Sequence, residues 1–321
     1  QPRFSRDAIA EFEFVANRFD ATQGRSAGVQ VNAITKSGTN VFAGTGSGYF
    51  RDDRFREKDF IQRRVLPYSD QQLSGTFGGP IIRDKFHFFA NYEHEREPQT
   101  LASSSPFPAF NIDLNSVRTV TMSGIRLDNQ FSPQMRLSTR FAHYHEIIPN
   151  ESAGGALRHP STGVRRTLGG DQIMLTQSSV LGNRTINELR AGWLGYTWRL
   201  RSELSVPKSI YQVPGLQDQV GPPVILLSGY TIGAGNSNMP ERMGNNTWSF
   251  RDDFTRSFDF GGRQDLKVGG EYLFVDHYIY LCRFCMGVLD AQGGPIPANI
   301  ESLFPVWNDA STWNINALSP I

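Results

Sequence analysis

Connections of two lengths alternate along this chain. The short ones are Ile82-Arg83-Asp84, Ser132-Pro133, Leu181-Gly182-Asn183-Arg184 and Phe260-Gly261-Gly262-Arg263. The long ones run near residues 52–69, 98–118, 148–170 and 202–246. A compact soluble domain rarely carries even one structureless loop beyond about 15 residues. Four of them, all on one side of a meander, imply a wall with two different ends.

The stretches between the connections predict nine strands, at 41–51, 70–80, 85–97, 119–131, 134–147, 171–181, 185–201, 246–258 and 264–280. Each reaches the roughly 9–11 residues that a tilted membrane strand requires. Phe86, Phe88, Ala90 and Tyr92 share one face of the third, and Lys85, His87, Asn91, Glu93 and Glu95 share the other, with Phe89 out of pattern. Met135, Leu137, Thr139 and Phe141 oppose Arg136, Ser138 and Arg140 in the fifth; Leu266, Val268, Gly270, Tyr272 and Phe274 oppose Lys267, Gly269 and Glu271 in the ninth. A period of two places the two sets on opposite sheet faces. Asp252 and Arg256 share parity with Trp248, Phe250, Phe254 and Phe258. At a lipid midplane such charges cost up to about 2–4 kcal/mol, so they lie near a rim or the strand slips at a bulge.

Tight turns at one end and long loops at the other are the pattern of a bacterial outer-membrane barrel. The expected fold is therefore all-β, an antiparallel up-and-down transmembrane β-barrel with about nine strands visible. The alternative is a soluble or surface-exposed β-rich binding module, adhesin or lectin-like, since a sandwich with one wet face alternates equally well. No apolar run nears the roughly 18 residues of a membrane helix; Pro222-Pro223-Val224-Ile225-Leu226-Leu227 is far shorter. The formal charge of +1, with both signs dispersed over 321 residues, gives nucleic-acid binding no electrostatic support.

Chemistry-bearing constellations are sparse. Cys282-Arg283-Phe284-Cys285 lacks further zinc ligands and a strand-to-helix setting, and reads as a local disulfide or free thiols in an exposed loop. His143 and His145 share a strand face without a third ligand and read as polar wall or rim residues. Gly44-Thr45-Gly46-Ser47-Gly48 precedes no helix, so it is not a phosphate loop; its glycines are read as places where an inner domain approaches the wall closely. Glu93, Glu95 and Glu97, with Arg136 and Arg140, are read as a charged lumen wall. No catalytic, cofactor or metal site emerges.

Upstream of the strands, Ala8 to Val15 reads as a short strand. Gly24-Arg25-Ser26-Ala27-Gly28 leads into Val29-Gln30-Val31-Asn32-Ala33-Ile34-Thr35-Lys36-Ser37-Gly38-Thr39-Asn40, a glycine-rich bend, a strand and a turn. This segment resembles the end of the plug domain of TonB-dependent outer-membrane receptors, in particular the Oar-like group with a carboxypeptidase-regulatory-like N-terminal domain. The run from Phe77 to Phe89, through Gly78-Gly79-Pro80, resembles that family's second barrel hairpin, and Phe250 to Glu271 a later one. The resemblance implies that 1–40 is the C-terminal part of a plug and 41–321 the N-terminal part of a barrel of about 22 strands. It assigns Gly24, Arg25, Ser26, Gly28, Asn32, Thr35, Lys36, Ser37, Gly38, Thr39 and Asn40 to the structural plug motif. It also implies a non-enzymatic receptor in the bacterial outer membrane, with membrane lipid as surroundings and a TonB complex as energy source. The ligand is unspecified. The loops 202–246 and after Leu281 are the expected ligand contacts, with Trp193, Trp198 and Tyr230 stacking on a sugar or anchoring at the interface. The TonB box and the remaining strands are expected outside the present residues.

Overall fold

The computed structural model describes residues 3–16, 29–204, 221–235, 238–283 and 285–318. Two strands, β1 (Ile9–Ala16) and β2 (Val29–Thr35), pair antiparallel as a sheet of their own. The main sheet comprises β3 (Ala43–Asp52), β4 (Ser69–Ile82), β5 (Phe86–Ala102), β6 (Asp113–Ser132), β7 (Met135–Glu151), β8 (Val164–Leu181) and β9 (Thr185–Ser202). A small sheet then begins with β10 (Val224–Leu227) and β11 (Tyr230–Gly233). The main sheet resumes with β12 (Glu241–Asp259) and β13 (Arg263–Leu281), and β14 (Val288–Ala291) returns to the small sheet before the short helix α1 (Ile300–Leu303). All nine expected strands are present, in chain order and antiparallel, as a single nine-stranded sheet. β3 and β13 are its two edges among the described residues, and the sheet does not close on itself.

The short turns hold tight reversals that need left-handed backbone: Asp84 has φ 62°, Gly182 67° and Gly261 62°. Glycine adopts these values without penalty, and aspartate is among the few other residues that tolerate them.

The other end differs from expectation. β5 and β7 run on to Ala102 and Glu151, and β6 and β8 begin at Asp113 and Val164, so the expected loops at 98–118 and 148–170 shrink to 103–112 and 152–163. Pro98 and Pro149, which fall in the expected loops, lie inside strands. Pro98 stays in register opposite Val117, while Pro149 falls where the β7–β8 register shifts between Ile148 and Glu151. A proline is tolerated where its missing N–H costs no ladder bond.

Register fixes the two faces. On the outer face one unbroken row crosses the sheet: Gly44, Phe77, Ala90, Ile125, Phe141, Ile173, Trp193, Trp248 and Phe274, each opposite the next. Phe77, Ile125, Phe141, Ile173, Trp248 and Phe274 are exposed. So extended an apolar surface does not suit water. Four residues toward the long-loop end, the corresponding row is more polar, with His94, Thr121, His145 and Thr197 alongside Leu73, Gly169, Gly244 and Tyr278. Asp252 keeps continuous register on both sides, which removes the bulge reading. It stands opposite Leu189 in a row shared with Gln177 and Asn129 toward the short-turn end, and Asn187 Nδ2 donates to it at 2.7 Å.

The glycines of β3 correct another expectation. Ser47 faces inward, hydrogen-bonding Asp7, so Gly44, Gly46 and Gly48 face outward. Thr45 and Ser47 form the inner surface there.

Candidate functional site

Period-two spacing gathers Glu93, Glu95 and Glu97 on the inner face of β5. Charges buried there need partners, and the N-terminal segment supplies them. Arg3 Nη2 lies 3.0 Å from Glu95 Oε2, and Arg6 Nη2 lies 3.7 Å from Glu95 Oε1. The Arg6 backbone N–H donates to Glu93 at 3.1 Å, and Gln72 Nε2 donates to the same carboxylate. Arg118 of β6 bridges Glu95, Glu97 and Glu146 at 3.3, 2.8 and 2.6 Å, and Tyr144 Oη donates to Glu146 at 3.0 Å. Glu93 is 0% exposed and Glu95 3%.

The contact continues toward the short turns. Asp7 accepts from Ser47 and Ser74, and these two donors hold its carboxyl below the usual range. Arg126 donates to the Thr35 carbonyl at 2.8 Å and pairs with Asp128, which also meets Arg136 at 3.0 Å. Arg140 lies over the Phe4 ring, 5.3 Å from its centroid. Phe89, out of pattern in the sequence, is buried on this inner face beside Ala8 and Thr35. The N-terminal segment is thus fastened to the wall by polar and ionic contacts, with little apolar core between them.

The expected motif residues divide. Gly24, Arg25, Ser26 and Gly28 lie outside the described residues. Asn32 Nδ2 donates to Glu13 across the β1–β2 pair, and the Lys36 N–H donates to the Ala8 carbonyl. A Cβ on Gly38 would stand 2.2 Å from the Phe88 carbonyl oxygen, so only glycine fits where this strand end meets β5. Thr39 Oγ1 donates to the Val41 carbonyl at 2.9 Å. Asn40 ties the first short turn: its Oδ1 accepts from the Asp84 N–H and pairs with His87 Nε2, each at 2.8 Å. Ser37 lies between Lys36 and Gly38 in the link to β3.

At the opposite end the connections fold into a cap. Phe110, Ile225, Leu227, Tyr230, Ile232, Ile300, Phe304 and Trp313 form one buried cluster drawn from three separate connections. β14 completes it by pairing parallel with β10. At its centre His159, 0% exposed, stands edge-on to Phe110 at 4.4 Å and to Trp313 at 6.1 Å. The Ser161 N–H donates to its Nδ1, and burial pushes its pKa down to about 3. Tyr230, expected to stack on a sugar or anchor at an interface, is instead buried in this cluster and its hydroxyl is pushed up to about 12 by burial. Trp193 faces outward, 6.2 Å from Trp248, and Trp198 faces inward. Cys282 and Cys285 form a disulfide just after β13, leading Met286 into a second buried cluster with Val164 and Leu200. His143 Nδ1 meets Asp171 at 2.7 Å on the outer face. Among the described residues no group of three or more His, Cys, Asp or Glu is placed to hold a metal ion.

Reasoning from sequence missed Arg3, Arg6, Arg118, Glu146 and His159. Glu146 shares parity with Arg136 and Arg140, a signal that was legible; the others depend on distant pairing.

A sequence profile described as "Outer membrane beta barrel domain" matches residues 34–113 and 109–284. No protein of curated function matches the sequence. The fold is similar to the outer membrane transporter YddB from Escherichia coli, with TM-score 0.63 at 10% identity over 85% of this chain and 36% of that one. It is also similar to the siderophore receptor PirA from Acinetobacter baumannii, with TM-score 0.58 at 15% identity over 84% of this chain and 35% of that one. The chain therefore spans about a third of the length of either structure.

Proposed function

The chain belongs to the outer membrane β-barrel domain family and resides in the outer membrane, and from that premise we propose that it is part of a TonB-dependent receptor of the Oar-like group. The family assignment sets aside a soluble module. In this reading residues 1–40 are the end of a plug and 41–321 the first part of its barrel. External connections capture a ligand, and an inner-membrane TonB complex supplies the energy that moves the plug and admits the ligand. No catalytic role is assigned.

The observation that carries the proposal is the seating of Arg3, Arg6 and Asp7 on Glu95, Glu93, Ser47 and Ser74. Water replaces hydrogen bonds and ion pairs far more readily than it replaces a packed apolar core. A segment held this way can close a lumen and still be released. The motif from Val29 to Asn40 and the similarity of the fold to an outer membrane transporter and a siderophore receptor support the same reading.

Conductance across planar bilayers tests it. The full-length protein should be closed, and Glu93→Gln with Glu95→Gln should raise the frequency of openings. A pore that stands open without substitution, or a double variant as silent as the parent, would contradict a plug held by this network.

A further inference from the structure

Beneath the cap lies a cavity of about 480 Å³, within the roughly 300–1,000 Å³ range of small-molecule sites. Its floor is the inner face of the barrel wall, through Trp198, Leu200 and Arg166. Its roof is the underside of the small sheet. Alternation along β10 makes that sheet two-faced: Ile225 and Leu227 enter the cap core, while Val224 and Leu226 look down into the cavity.

The polar lining is unbalanced. Arg166 pairs with Glu151 at 3.1 Å, yet its Nε is buried with no hydrogen-bond partner among the described residues. Arg158 also lines the space from its solvent-exposed rim. Two guanidiniums thus face one carboxylate. A buried donor left unpaired is costly, and a guanidinium donates parallel N–H bonds to a carboxylate. Trp198 offers a large flat wall beside it.

We infer that this chamber binds an apolar molecule carrying a single carboxylate, which docks on Arg166 and Arg158 while its hydrocarbon body lies against Trp198 and Leu226. This identifies the ligand chemistry of the receptor proposed above and rests on the reading that the capped side captures ligand.

The test uses the full-length protein in lipid nanodiscs, with two probes: hexanoate, and the dipeptide acetyl-leucyl-phenylalanine. Their neutral amides serve as controls. Each carboxylate that binds should quench tryptophan fluorescence, and the quench should be lost in Trp198→Phe. The acid should bind at least about tenfold more tightly than its amide, the discrimination expected when a charged partner is lost. Arg166→Gln should remove that preference, and Glu151→Gln, which removes the competing carboxylate, should strengthen binding. Binding of either probe alone supports the site and separates an aliphatic from a peptide source. Equal affinity for acid and amide, a preference that survives Arg166→Gln, or no gain in Glu151→Gln would overturn it. Binding here needs no TonB complex, so failure of this inference and failure of the transport reading are separate results.

Discussion

The Arg3 guanidinium lies 3.0 Å from the carboxylate of Glu95, 92 positions away, and Glu95 is at the same time within 3.3 Å of Arg118 from the neighbouring strand. One carboxylate therefore couples the N-terminal segment to the wall. Arg118 retains Glu97 and Glu146 if Glu95 is neutralised, so the wall keeps its own pairing. Glu95→Gln should loosen the segment by about 1–3 kcal/mol while leaving the sheet folded. Faster maleimide labelling of a cysteine at Ser5, which is buried in the parent, would register the loosening against an unchanged heat-dependent gel shift.

Gly38 and Gly46 should respond oppositely to alanine. At Gly38 the new methyl group would collide with the Phe88 carbonyl; at Gly46 nothing lies within 4 Å. Gly38→Ala should lower the yield of folded, heat-modifiable protein severalfold, and Gly46→Ala should leave it unchanged. Equal yields would refute the close approach.

The cap should weaken with acid. His159 titrates near 3 when folded, against about 6.5 for the free side chain. Between those values the unfolded cap takes up a proton that the folded cap refuses. The stability is therefore complete above about pH 6.5 and falls by about 1.4 kcal/mol per pH unit below it, until about pH 3. Proteolysis of the cap should accelerate between pH 6.5 and 4 in the parent and much less in His159→Gln.

Reducing the Cys282–Cys285 bond should disturb the cap and not the sheet. A four-residue ring constrains little chain entropy. Its role is positional: it precedes Met286, whose sulfur accepts from the Gly221 N–H at 3.0 Å. Dithiothreitol should raise protease sensitivity near residue 286 with no change in gel mobility of the barrel.

Strand existence was legible because alternation is local. Glu93, Glu95 and Glu97 could be placed on one face from spacing alone, whereas Phe89 stood out only as a break in the alternation, its cover by Ala8 and Thr35 depending on distant packing. Strand ends were not legible. Pro98 and Pro149 signal breaks locally, yet a neighbouring strand already in register carries the chain past them. The facing of Gly44, Gly46 and Gly48 depends on a register that no single strand reveals. The cap was hidden for the same reason: Val224–Leu227 was visible as an apolar run, but its partner β14 pairs in parallel from beyond two long strands. Of the motif residues, Gly38 and Asn40 acquire physical roles, while Gly24 to Gly28 lie outside the described residues.

The most direct test of the central claim is energy-dependent exposure of the N-terminal segment in living cells. A cysteine at Ser5, in a Cys282→Ser, Cys285→Ser background, should react with a membrane-impermeant maleimide several times faster in cells with a working TonB complex than in cells lacking it. Identical labelling rates in the two strains would contradict a plug moved by TonB.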